Sequence, residues 1–139
     1  MIGRGKMLDD IITKLQKELD LAGPLGGANA GSFALMLDDI KVSIIETNPG
    51  FELAAVLGEL PRPSPELFMA KMLRGNLFGQ ATEGAIVGLD ETGTRITLRY
   101  YYPLSPTYRD LKEKLEDFMN VIDFWQGEVK RHIENPNSA

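Results

Sequence analysis

The apolar positions of this chain follow two periods in turn, and each change of period marks a new element. Leu8, Ile11, Ile12, Leu15 and Leu19 form a helical stripe, with Asp9 and Asp10 in the first turn and Lys14 and Lys17 later, as the helix dipole favours. Gly23-Pro24 stops that helix. Residues 23–31 form an irregular Gly- and Ala-rich connector without the Gly-Lys-Ser/Thr ending of a phosphate loop. Residues 1–6 read as an extended start or a vector-derived remnant. Three strands follow, Phe33 to Leu37, Ile40 to Glu46 and Phe51 to Leu57, separated by Asp38-Asp39 and by Asn48-Pro49-Gly50. Pro followed by Gly suits the centre of a type II turn, so the strands form an antiparallel meander. Ser64-Pro65 opens a second helix running to about Phe78. Strands Ala85 to Asp90 and Thr94 to Tyr102 are joined by Glu91-Thr92-Gly93, a hairpin loop with Gly where φ must be positive. Ser105-Pro106 opens the last helix, whose stripe is Leu111, Leu115, Phe118, Ile122, Trp125 and Val129. The order α-βββ-α-ββ-α predicts one α+β domain over residues 1–139, with helices packed on a curved antiparallel sheet.

Composition narrows the function classes. Fifteen Lys and Arg against 20 Asp and Glu leave a net charge of −5, which argues against binding to phosphate backbones. A chain of 139 residues buries roughly 70% of its extended surface, enough for one core. The absence of Cys excludes a disulfide framework, a thiolate nucleophile and a Cys-bearing zinc site, and suits a reducing compartment. One His makes no His-rich metal site. The longest apolar runs, Phe33 to Leu37 and Leu53 to Leu57, fall far short of the roughly 18 residues needed to span a bilayer. The N-terminus lacks the apolar stretch of a signal peptide. The expectation is a cytosolic protein without cofactor or membrane insertion.

More informative are the places where one buried face does not use up the apolar residues. In the meander, Phe33, Leu35, Leu37, Ile40, Val42, Ile44, Phe51, Leu53 and Leu57 make an adequate inner layer. The opposite face holds Lys41, Ser43 and Glu52, but also Ala34, Met36, Ile45, Ala54 and Val56. Two readings stand: cover by a helix of the same chain, or a docking surface for another polypeptide. The second helix repeats the excess. Leu67, Ala70, Leu73 and Leu77 form one stripe, while Phe68, Met69 and Met72 lie beside it, so the helix is buried on two sides, the second against another subunit. The first helix, with Leu8, Ile12 and Leu15 beside Ile11 and Leu19, also exceeds what a core needs.

Catalytic chemistry finds no support. Asp9-Asp10 suits a helix start and Asp38-Asp39 a turn, not an acid/base pair. His132, beside Lys130 and Arg131 in the last helical turn, reads as a surface cation favoured by the dipole. Trp125 falls on the core stripe. Tyr101 points outward with Arg95 and Arg99, a small basic-aromatic strand face that reads as solvated rather than as a carboxylate or base site.

The second half of the chain resembles a known family. Leu73-Arg-Gly-Asn-Leu-Phe-Gly-Gln80, Thr82-Glu-Gly-Ala-Ile-Val-Gly-Leu-Asp90, Tyr102-Pro-Leu104, Leu115-Glu-Asp-Phe118 and Trp125, taken in order, resemble the class I chaperones of bacterial type III secretion, the Tir chaperone family. The resemblance is strongest from Leu67 to Val129. The connector at 23–31 and Pro61-Arg-Pro63 depart from the pattern. The resemblance implies a cytosolic homodimer that holds the N-terminal segment of secreted effectors extended before export, without hydrolysing ATP, and a further contact with the export-apparatus ATPase. It assigns the dimer contact to the second helix, through Leu67, Phe68, Met69, Met72, Leu73 and Leu77. It assigns effector binding to Leu8, Ile12, Leu15, Ala34, Met36, Ile45, Ala54 and Val56. A domain of the same fold that sequesters a transcription or secretion-control protein is the alternative, and a small-ligand enzyme would need a pocket of convergent polar groups.

Overall fold

Alternation and helical periodicity place most of these elements where the computed structural model has them. It describes residues 4–18, 32–37, 39–78 and 84–137, the side chains of 4–9, 16, 37 and 78 excepted. The elements are α1 (Arg4–Glu18), β1 (Ser32–Leu37), β2 (Ile40–Glu46), β3 (Phe51–Glu59), α2 (Pro65–Phe78), β4 (Ile86–Leu89), β5 (Arg95–Tyr102) and α3 (Tyr108–Glu134). The strands form an antiparallel sheet in the order β1-β2-β3-β5-β4.

Every second strand residue turns to one face, and that face is the core. Leu35, Val42, Ile44, Phe51, Leu53, Ala55, Val87, Ile96 and Leu98 are buried there with Ile11, Ile12 and Leu15 of α1, Phe68 and Met72 of α2, and the α3 stripe from Leu111 to Trp125. A bulge sets Leu57 and Gly58 against Ile96, with Gly58 at φ +137°, and Leu57 stays buried. All the described helices therefore share one side of the sheet.

Several element ends differ from the sequence expectation, each for a local reason. α1 begins at Arg4, so Arg4 to Lys6 are helical rather than extended, and Asp9-Asp10 sit beyond the first turn. The Gly23-Pro24 stop and the connector at 23–31 lie outside the described residues, as does Asp38; Asp39 takes the positive φ of the β1–β2 turn. The Asn48–Pro49 peptide is cis, and Gly50 has φ +98°. A side chain at Gly50 would run into the backbone carbonyl of Tyr102, so the turn between β2 and β3 lies flush against the end of β5. The cap of α3 is Thr107 rather than Ser105. Thr107 and Asp110 form a reciprocal capping box, which satisfies two otherwise orphan N–H groups.

His132 overturns the surface reading: it is buried beneath the entry to α2. Its Nε2 lies 2.7 Å from the Pro63 carbonyl oxygen, which can only accept, so Nε2 carries the proton and donates. Its ring meets Phe68 edge-on, and Phe68 meets Trp125 in the same way. Lys71 and Glu128 join α2 to α3 at 3.3 Å. Burial pushes the Glu128 carboxyl up, but hydrogen bonds from Arg131 and Lys71 outweigh it, and the group is held below the usual carboxylate value. At the other end of α3, Glu18 of α1 accepts from Tyr108 and, at 2.6 Å, from Lys112. Hydrogen bonding by Lys112 and then by Tyr108 keeps the Glu18 carboxyl low.

Candidate functional site

Strand register assembles the outer face of the sheet row by row. Ala34, Ser43, Ala54, Arg99 and Ile86 form one row across the sheet. On one side lies the row Ser32, Ile45, Glu52 and Tyr101; on the other, Met36 pairs with Lys41, and Val56, Thr97 and Gly88 continue along β3, β5 and β4. Rows on one face of a strand stand roughly 7 Å apart. The middle row is small over three strands and, Ser32 apart, is flanked by larger side chains, so by side-chain size the face is lowest over Ala34, Ser43 and Ala54.

This face is partly apolar and open, with Met36, Ile45, Val56 and Ile86 set among Lys41, Ser43, Glu52, Thr97 and Arg99. Met36 is 61% exposed and Ile86 64%, and Val56 and Tyr101 are also exposed, while Ala34, Ile45 and Ala54 are half-buried. No described helix covers it, so cover from the same chain is not found among the described residues. One charged pair crosses the face: Arg99 Nη2 stands 2.7 Å from Glu52 Oε1. Both partners touch water, so the pair contributes little to stability and mainly fixes where a charge sits in an apolar field.

The second surplus is on α2, and here the structure reverses the expected faces. Phe68 and Met72 are buried in the core of the chain itself, and Gly75, in line with them, is buried too. Neither Phe68 nor Met72 can therefore reach another subunit. At 100° per residue, Leu73 and Leu77 lie on the opposite side, where Leu73 is 68% and Leu77 74% exposed, and Met69 continues their stripe onto the flank next to Met72. Leu67 is exposed on a flank. In α1, Ile12 and Leu15 are buried against the core and leave the client-facing set; the side chain of Leu8 lies outside the described residues. In α1 the single apolar stripe that holds Ile11, Ile12 and Leu15 is itself the core stripe, whereas in α2 the cause lies in the composition of the helix. A helix that is apolar around much of its circumference carries no mark of which stripe the core will take.

Some surface groups were not read from the sequence. Ile86 follows from β4 alternation, since it stands between buried Ala85 and Val87. Asn76 had no such signal: its side chain bonds the backbone of Val87 on β4, with Nδ2 2.6 Å from Val87 O and Oδ1 2.8 Å from Val87 N. The two ends of the sheet consequently differ. Both β1 and β4 are edge strands among the described residues, but β4 is met by α2. Elsewhere, an open cleft is lined by Glu59, Leu60, Pro61, Arg62, Pro65, Gly93 and Thr94. Among the described residues no three His, Asp or Glu side chains gather to hold a metal, and no helix is long and apolar enough to cross a membrane.

Comparison with known proteins bears on these surfaces. The sequence model of the Tir chaperone protein (CesT) family matches residues 10–126. A Chlamydia pneumoniae protein, CPj0713/CpB0740, is 29% identical over 127 residues, which cover 88% of this chain and 96% of that protein. Among solved structures, the HopA1-SchA chaperone-effector complex contains a chain that superposes with a TM-score of 0.68 at 17% identity, over 88% of this chain and 95% of that one. A chain of the ExsC-ExsE complex gives 0.71 at 13% identity, over 90% and 95%. At such identities the superpositions speak for the fold.

Proposed function

The chain belongs to the Tir chaperone protein (CesT) family, and from that premise we propose that it holds the N-terminal segment of one or more type III secreted effectors extended and ready for export, without hydrolysing ATP. The observation that carries this reading is the outer face of the sheet, five strands wide, apolar at Met36, Ile45, Val56 and Ile86, with no described helix over it. Its chemistry is that of a holding surface. Each fully buried Leu- or Ile-sized client side chain contributes roughly 1.5–3 kcal/mol, so a few anchors offset the ordering of a disordered segment. Main-chain pairing along the edge of β1 adds affinity that does not depend on client sequence, while the low part of the face over Ala34, Ser43 and Ala54 supplies selectivity. The exposed α2 stripe of Met69, Leu73 and Leu77, with Leu67 beside it, is assigned to a second copy of the chain. A two-fold axis there brings like apolar residues together.

The test is co-purification from the native host with mass spectrometry of the bound protein, repeated with Met36→Asp and Ile45→Asp. An effector N-terminal segment retained by the wild type and lost from folded variants is the expected result. Retention of a folded regulator instead would move the protein to a sequestering role. Unchanged capture by the variants would remove the outer face from client binding.

A further inference from the structure

The geometry points to Asn76 as the residue that closes the β4 end of the sheet against strand addition, so that copies of the chain do not join edge to edge into open-ended assemblies. An edge strand presents unpaired N–H and C=O groups that template another strand. In an antiparallel ladder only alternate residues turn those groups outward. β4 has four residues, so the outward positions within it are Val87 and Leu89. At Val87 both groups are taken by one carboxamide, at 2.6 and 2.8 Å. A primary amide offers the same donor and acceptor as a peptide unit, and Asn76 stands in for the missing strand.

The surrogate is also held in place. Asn76 projects from α2 one turn beyond Met72, whose side chain is buried with Phe68 in the core, so the backbone that carries its amide is fixed by packing. An incoming strand must first break both bonds at Val87 and then regains only their equivalents.

The consequence depends on the opposite end of the sheet. A sheet with two open edges can join copies head to tail, β4 of one to β1 of the next, without closure. With β4 blocked at Val87, one of its two outward positions, a strand added there has at most the Leu89 groups to pair with, so pairing at β1 does not propagate into growth. This role is separate from packing through the α2 stripe, because it concerns backbone groups of β4 rather than the side chains of Leu73 and Leu77.

The full chain and Asn76→Ala are compared by sedimentation velocity over a range of concentrations, with circular dichroism for the fold and amide exchange at Val87. Expected for the variant are, at low concentration, exchange at Val87 about tenfold faster and, as concentration rises, a weight-average mass that roughly doubles or more, with an intermolecular β band in the infrared. Adding Ile86→Lys, a charge on the exposed side of the same edge strand, should return the mass to the wild-type value. Should Asn76→Ala fail to fold, Asn76→Asp, which keeps the acceptor for Val87 N–H and loses the donor, is read by the same criteria. A folded variant with unchanged mass, or growth that Ile86→Lys leaves intact, overturns the assignment. The mass is judged against the wild type's own state, so a monomeric wild type would count against the dimer reading and leave this one standing.

Discussion

α2 and α3 lie on the same side of the same sheet and share a contact at Phe68 and Trp125, yet they treat their remaining surfaces in opposite ways. α3 buries Leu111, Leu115, Phe118, Val121, Ile122, Trp125 and His132 along one stripe, and charged residues dominate much of the rest of its 27 residues. α2 buries Phe68 and Met72 and turns Leu73 and Leu77 outward. Apart from the single exposed side chains of Phe124 and Ile133, α3 is finished by its own chain, and α2 leaves an apolar stripe that costs solubility unless another polypeptide covers it. The contrast separates residues that hold the protomer together from residues available to a partner, although both sets are hydrophobic.

The contrast is broken most severely at the shared contact. Phe68→Ala or Trp125→Ala should cost about 3–5 kcal/mol, read as a lower denaturant midpoint, because each empties a site between helices that cannot collapse freely. Loss of under 1 kcal/mol would mean that α2 is not anchored there. Leu73→Asp with Leu77→Asp should leave protomer stability within about 0.5 kcal/mol and halve the mass in solution by light scattering. An undisturbed mass would place any dimer contact elsewhere. Glu128→Gln weakens the polar tie between the helices by on the order of 1 kcal/mol. Its pH dependence has a definite sign. The folded carboxyl is held below its ordinary value of 4.5, so its contribution is present above that pH and is lost as acid titrates it through the lower folded value. The gap between wild type and Glu128→Gln should therefore be widest near neutrality and narrow below pH 4.5; a gap independent of pH would sink the assignment.

What was legible in the sequence follows the same divide. β2 runs from Ile40 to Glu46 as read, and α3 shows its buried stripe, because in both a polar face stands opposite the apolar one and fixes the direction. In α2 that opposition is missing, so Phe68 and Met72 were placed beside the inner stripe when they are the inner stripe. Ile12 and Leu15 lie on the one apolar stripe of α1, which a polar face opposes, and the core takes that stripe. The outer face was legible, since Ala34, Met36, Ile45, Ala54 and Val56 break a strict alternation that needs no tertiary knowledge. Two kinds of feature left no periodic trace. Thr107 competes as a cap with a nearby Ser-Pro that carries the same signal, and only the reciprocal bond with Asp110 decides between them. Asn76 and His132 act on backbone atoms 11 and 69 residues away, a separation at which composition and spacing carry no information.

A sheet that carries its described helices on one side also has a mechanical character. For a client lying across the outer face, release requires no helix of this protein to swing aside, so the holder need not unfold to let go. A pull on one end of such a client loads its contacts in sequence, one strand's worth at a time, and the force required at any instant is that of a single anchor. Affinity summed over the whole face and resistance to peeling are thereby decoupled: the grip can be firm at rest and still yield to a steady tug.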